Sequence, residues 1–421
     1  MDSHAADAKD SAAATKEPVV PAGVNADHPA DAKVADHKEF ERSKEIDFIG
    51  RHFQQFYKTH QVNVPSVSMR EFGFGYEKKI DLRHKSFQSQ KELQDYFISK
   101  VPLYASYSAA FYEYPAARPM GAKNFLKAEL IFDLDASPTH EGHNPVMCPH
   151  CQESVRADVI RLLEDFLFAD FGFSKDETTV NFSGSKGYHV HVAMDSLMQL
   201  SSTQRDQLVE YCAGTNVDFN RFFTLQKHVI NHRSIEVISG PSTASAGWAK
   251  RILDRALAIL ALPQEDFIAK FKQAGYTKKQ AETIFANKDY VTDQLKSGRW
   301  SAIEKPDLLV AEIAKTAGIG RNVSLDRAVT TDMSRLIRIP DTLHGDTGLV
   351  ARTLSLSELS NFDPTNSALA FDMKKTEKVI ALDHYDFYFG NSSHVLEKEK
   401  LKEVPLAVAM LLLCKKKALL L

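Results

Sequence analysis

The sequence predicts an α/β (α+β) protein, with mixed β-sheets flanked by helices and an all-helical subdomain set into the chain. Three observations carry that prediction. Short apolar runs at Leu130–Asp135, Thr178–Phe182 and Tyr188–Met194 have the length and composition of strands. Beside them, Val155–Phe171 and Leu197–Cys212 place apolar residues at helical spacing. From 246 to 317 the pattern is helical throughout, over Ile252–Leu262, Gln264–Ala274, Lys278–Asn287 and Leu308–Ala317. The expected organisation is a disordered tail over 1–38, a discontinuous core over 39–245 and 318–421, and a helical insertion over 246–317.

Each element has a local reason. Residues 1–38 are rich in Ala, Asp, Lys, Pro and His, and carry too few large apolar side chains to offset the entropy of ordering. A helix is expected from Lys38 through Phe48, Ile49 and Phe53 to Tyr57, and a strand over Met69–Phe74. Strand-like residues return at Val323–Thr330 and Val379–Phe389, and a last helix starts near Pro405. The 421 residues, 43% apolar and 25% charged, fit a globular chain of about two folded units. A net charge of −3 neither supports nor excludes nucleic acid, because a binding surface needs only local positive charge. Four cysteines make no disulfide framework, and Cys212 and Cys414 sit in apolar helical patterns that suit buried thiols. The opening Met1-Asp2-Ser3-His4 has no signal-peptide character, and the apolar stretch Val404–Leu413 is too short for a bilayer. An intracellular protein without a membrane span is expected.

The most informative motif is Asp133-Leu134-Asp135, at the end of the apolar run that starts at Ala128. Side chains two apart on a strand share a face, so both carboxylates aim at one point, and a hard divalent cation suits such an oxygen cluster. A solvated turn-forming pair has the same spacing. His140, His143, Cys148 and Cys151 offer four nitrogen and sulfur ligands for a tetrahedral Zn²⁺, with His150 as a competitor for one position. Pro138, Gly142, Pro145 and Pro149 fit a metal-held knuckle, and a closed four-ligand site is structural. A redox pair or two unliganded thiols is the alternative.

Ser183-Gly184-Ser185-Lys186-Gly187-Tyr188-His189 joins two strands. Its glycines permit close backbone approach, its hydroxyls and N–H groups suit an anion, and Lys186 adds a point charge. His189 and His191 share one strand face, Val190 and Val192 the other. A plain hairpin with a Gly turn reads the same way, and the loop is not a Walker A sequence. Further on, Asp326, Asp332, Arg335, Arg338 and His344 supply acids, two arginines that can fork onto phosphate oxygens, and a histidine in a Gly-rich turn. Ordinary solvated arginines are the alternative here.

Together these segments resemble the catalytic (small) subunit of archaeal and eukaryotic DNA primases. The matching stretches are Arg70-Glu71-Phe72, Arg83-His84, Leu130 to Asp135, Cys148-Pro149-His150-Cys151, Ser183 to His189, and Asp326 to His344, in family order across most of 40–385. The resemblance implies Asp133, Asp135 and Asp326 as catalytic carboxylates holding two Mg²⁺ or Mn²⁺ ions, with Asp332 the local rival of Asp326. It implies Ser183, Gly184, Ser185, Lys186, Gly187, His189, Arg335, Arg338 and His344 around the incoming nucleotide. Glu71 and Arg83 are weaker members of the site. His at two knuckle positions departs from the family pattern, which leaves the first half of the zinc site open.

The implied activity is template-directed synthesis of short RNA primers, with DNA primers left open, by nucleotidyl transfer with pyrophosphate release. The implied partners are an iron–sulfur large subunit, single-stranded DNA, nucleoside triphosphates and other replication proteins. The implied location is the cytoplasm for an archaeal chain or the nucleus for a eukaryotic one. A primase-polymerase of end-joining or damage tolerance is the second reading; the knuckle, the helical insertion and the lack of a fused ligase or nuclease motif favour the first. A non-catalytic zinc-bearing nucleic-acid module is the third.

Overall fold

In the computed structural model the described residues are 29–137, 144–230, 233–319 and 323–421. Helix α1 (Pro29–Thr59) buries Phe48, Ile49, Phe53, Phe56 and Tyr57, one face at helical spacing. It starts earlier than Lys38, inside the segment expected to be a disordered tail. Strands β1 (Phe72–Gly75) and β2 (Leu82–Lys85) follow, then α2 (Gln90–Lys100), which Ser89 caps by accepting from the Glu92 N–H. The chain continues through β3 (Tyr104–Ser108), β4 (Ala110–Tyr112), β5 (Phe125–Ala128) and β6 (Leu130–Ala136).

Helix α3 (Pro149–Arg161) widens into a π-helical segment at Leu162–Phe168, where one continuous helix from Val155 was expected. Strands β7 (Thr178–Phe182) and β8 (Gly187–Val192) precede α4 (Ser202–Ala213). That helix starts later than Leu197, because Ser201 and Gln204 form a capping box. A hairpin of β9 (Thr224–Ile230) and β10 (Arg233–Ser239) was not foreseen, although Val229, Ile230, Ile235, Val237 and Ile238 give it β-branched character. Helices α5 (Gly247–Leu260), α6 (Gln264–Gln273), α7 (Lys278–Ala286), α8 (Lys288–Lys296) and α9 (Pro306–Ala317) come next.

The strand expected over Val323–Thr330 is a short β11 (Val323–Leu325) that gives way to α10 (Arg327–Thr331), because Asp326 caps the helix. Strands β12 (Leu336–Arg338) and β13 (Arg352–Leu354) complete the central sheets. The expected strand over Val379–Phe389 is split between Thr376–Ala381 and Tyr385–Phe389, and the last helix is Leu406–Cys414, buried along its whole length. Among the described residues no helix is long and apolar enough to cross a membrane.

Two antiparallel sheets position the site. One runs β11-β6-β8-β7-β13 and the other β12-β3-β1-β2. Helices with antiparallel sheets make this an α+β fold. In the first sheet Asp133 stands opposite His189, and Asp135 opposite Gly187. In the second, Arg338 stands opposite Ser106. The buried Ile131, Phe132, Leu134, Val190 and Val192 anchor β6 and β8 in the core and leave Asp133 at the middle of the strand and Asp135 near its end.

Candidate active site

Asp133 and Asp135 leave β6 on one face, as the spacing of two requires. The third acid arrives through pairing. β11 runs antiparallel to β6, and the Asp326 N–H then donates to the Asp133 carbonyl at 3.0 Å. Asp332, its rival, accepts from the Ser334 N–H at 2.9 Å just as Asp326 accepts from the Ala328 N–H at 2.9 Å; what sets Asp326 apart is that its charge reaches Asp133. Burial, then the charges of Asp135 and Asp326, push the Asp133 carboxyl up to about 7. Its Oδ1 is buried with no hydrogen-bond partner, and His189 Nε2 at 3.6 Å is too far to supply one.

Among the described residues no three His, Cys, Asp or Glu side chains close around a common metal position as they stand. The reason lies in the neighbouring cations. Lys186 Nζ sits 3.1 Å from Asp135, and an Arg335 NH group 3.5 Å from Asp326, so two of the acids are turned toward positive partners. These four side chains are 34–45% exposed and such pairs are weak, although Asp326 Oδ1 also caps α10 by accepting from the Ala328 N–H at 2.9 Å. An orphaned buried carboxylate oxygen beside two more acids is the donor set a hard divalent cation takes.

One wall of the site is built by the Ser183–Gly187 loop. The Ser183 N–H donates to the Gly187 carbonyl at 2.9 Å, and the Gly187 N–H to Ser183 Oγ at 3.2 Å. Gly184 has φ +79°, and a Cβ there would lie 2.9 Å from the His344 Cβ. His189 is neutral because burial, followed by the nearby His191 and Arg338, lowers it to about 3. Burial also lowers Arg338, to about 10, which leaves it charged, and its guanidinium donates to the Ala105 carbonyl at 3.3 Å. His344 is held well below its ordinary value, by burial first and Arg338 second. Its Nδ1 accepts from the Asp346 N–H at 3.2 Å, which leaves Nε2 as the donor.

These groups enclose a cleft of about 270 Å³. Asp133, Asp135, Ser183, Ser185, Lys186, His189, Arg335, Arg338 and His344 line it, and Gly184 and Gly187 shape its loop. Residues 132–356 match the model of the DNA primase small subunit family. The DNA primase small subunit of Methanosarcina acetivorans is 32% identical over 400 residues, covering 87% of this chain and 95% of the relative. That of Methanococcoides burtonii is 31% identical over 87% of this chain and 96% of its own length. That of Methanothrix thermoacetophila is 33% identical over 78% of this chain and 87% of its own length.

This chain belongs to the DNA primase small subunit family. It is the catalytic subunit of a primase, an enzyme of the nucleotidyltransferase type that makes primers for DNA replication.

Other residues of this primase lie away from the cleft or in it unforeseen. Glu71 is fully buried and committed to cations. Its Oε1 accepts from Arg83 Nε at 3.0 Å and from the His84 N–H at 3.2 Å, and Lys123 Nζ lies 3.5 Å from Oε2. Neither Glu71 nor Arg83 lines the cleft, although Arg83 also donates to the Ser334 carbonyl at 3.3 Å, beside Arg335. Lys79, Ser106 and Asp346 line the cleft and were missed. Asp346 closes the His344 turn and was open to detection; Lys79 and Ser106 had no signal beyond their types. His140 and His143 lie outside the described residues. Cys148 and Cys151 are buried at the start of α3, and burial raises the Cys148 thiol.

Proposed function

We infer that this primase extends primers by two-metal nucleotidyl transfer on single-stranded DNA. The 3′-hydroxyl of one nucleotide attacks the α-phosphorus of a bound nucleoside triphosphate, and pyrophosphate leaves. The observation that carries the reading is Asp133 and Asp135 on the wall of a cleft that also holds Lys186, Arg335 and Arg338, with Asp326 outside that lining but bonded through its N–H to the Asp133 carbonyl and near enough for its charge to raise Asp133. Two Mg²⁺ or Mn²⁺ ions, held by the three carboxylates, would lower the hydroxyl's pKa and stabilise the attacking and leaving oxygens. Lys186 and Arg335 then re-aim from Asp135 and Asp326 toward the triphosphate, where Arg338 adds fixed charge. Neutral His189 and His344 offer ring N–H donors, and the Ser183–Gly187 backbone approaches the phosphates closely enough to hydrogen-bond them. The deciding assay incubates the pure chain, alone and with its partner, on poly-dT with labelled ATP or dATP. Labelled dinucleotides and longer products support the reading; none under any metal overturns it.

The raised Asp133 pKa makes a second prediction. The group titrates at about 7 folded against an ordinary 3.8. The folded state therefore binds the extra proton, and stability is lost as pH rises from about 4 to about 7. A divalent cation offsets the buried charge, so added Mg²⁺ should raise Tm more at pH 8 than at pH 5. Without metal, Asp133→Asn should be more stable than the native chain at pH 8 though inactive. Equal Mg²⁺ shifts at both pH values count against the assignment.

The rest of the reading extends outward from the cleft. His140, His143, Cys148 and Cys151 are proposed to hold a structural Zn²⁺, so His140→Ala with Cys148→Ser should release stoichiometric zinc and lower Tm. Undiminished zinc by elemental analysis would refute that ligand set. The helices over 246–317 are proposed as an insertion in a discontinuous catalytic core. The chain is proposed to act inside the cell with an iron–sulfur large subunit and other replication proteins.

A further inference from the structure

The geometry points to Arg70, Glu129 and His191 as a buried positioning relay that fixes the imidazole of His189 beside Asp133. The inference rests on the reading of His189 as a phosphate-facing group. Register places the parts. On β8 His189 stands opposite Asp133 and His191 opposite Ile131, so His191 is one same-face step deeper than His189. Glu129 immediately precedes β6 and is 8% exposed. His191 Nδ1 lies 3.0 Å from Glu129 Oε2, and a carboxylate only accepts, so the ring nitrogen carries that hydrogen. Glu129 Oε1 accepts from Arg70. Burial alone would raise the Glu129 carboxyl, but His191 and Arg70 hold it at about 2.

Arg70 is wholly buried and fixed on every side. It donates to the Pro65 carbonyl at 3.2 Å and the Ser108 carbonyl at 2.7 Å, and lies 4.0 Å from the Phe111 ring centre and 4.7 Å from that of Tyr107. Tyr107 in turn stacks on His191 at 6.4 Å and 19°. His191 and His189 meet edge to face, 6.4 Å apart at 63°. His191 Nε2 and His189 Nδ1 are both buried without a hydrogen-bond partner. His189 thus has no bond at Nδ1 to set its ring plane. Its orientation comes from packing against a neighbour that is itself pinned by a carboxylate and an arginine.

A buried ion pair kept for stability alone can often be replaced by apolar residues at little cost. This one bonds His191, whose ring in turn meets the His189 ring that faces Asp133, and that separates positioning from packing. The test uses the full chain with ATP and oligo-dT. His191→Phe keeps a stacking ring but removes the Nδ1 hydrogen; it should raise KM for ATP about tenfold and change kcat by less than about twofold. If His191→Phe does not fold, ¹⁵N-histidine spectra of Glu129→Gln replace it, and the His189 ring signals should move from their native positions. Native KM in His191→Phe, or native His189 signals in Glu129→Gln, overturns the relay. His189→Ala distinguishes the two levels: if it raises KM while His191→Phe does not, only the relay falls. If neither moves KM, the role given to His189 falls as well.

Discussion

Asp135→Ala should abolish dinucleotide formation on single-stranded template with Mg²⁺ or Mn²⁺, a loss of about 10³-fold or more if one metal ligand contributes several kcal/mol of transition-state stabilisation. The argument is local. Asp135 shares a strand face with Asp133 and holds Lys186 Nζ at 3.1 Å. Removing it takes one of three carboxylates from the proposed cation site and leaves Lys186 without its partner. Folding should be spared, because the Asp135 side chain is 34% exposed and such a pair contributes about 0–1 kcal/mol. Native Tm with no labelled product is therefore the expected outcome. Product at the native rate would remove the metal role and the mechanism that depends on it.

The strongest features of the site were legible because they follow from short-range rules. The spacing of two at Asp133 and Asp135 sets a shared face wherever a strand forms, and the apolar run before it leaves little else to form. The choice of Asp326 over Asp332 rested on family order. In the fold it is β11 pairing with β6 that brings Asp326 to the Asp133 backbone, a contact across nearly two hundred residues that no local pattern encodes. Glu71 shows the opposite case: it entered the site only as a weaker member implied by the resemblance, and its fully buried carboxylate is shared among Arg83, His84 and Lys123. Lys79 was out of reach for a similar reason, since it reaches the cleft from the link between β1 and β2. The β9–β10 hairpin was missed because its charged residues, Lys227, Arg233 and Glu236, interrupt the apolar run that would have marked it.

Gly187→Ala should damage both the fold and the chemistry, and it tests whether close backbone approach holds the site together. Gly187 pairs with Asp135 where β8 meets β6. A Cβ at that position would lie 2.2 Å from Asp135 Oδ1, 2.4 Å from the Leu134 carbonyl oxygen and 3.1 Å from the Asp135 Cα. The carboxylate could rotate away, but the carbonyl belongs to the sheet and cannot. The strands must therefore separate locally. That strains the Ser183–Gly187 turn and the 2.9 Å bond from the Ala136 N–H to the Lys186 carbonyl. Overpacking of this kind costs about 1–3 kcal/mol, and displacing a catalytic carboxylate by about 1 Å can cost on the order of 10²-fold in rate. Gly121→Ala is the matched control, since a Cβ there meets nothing within 4 Å. The expected pattern is a lowered Tm and a much slower primer synthesis for Gly187→Ala beside native behaviour for Gly121→Ala. If Gly187→Ala matches the control in both measurements, the backbone around Asp135 has slack to absorb a methyl group, and the tight β6–β8 contact does not govern where that carboxylate points.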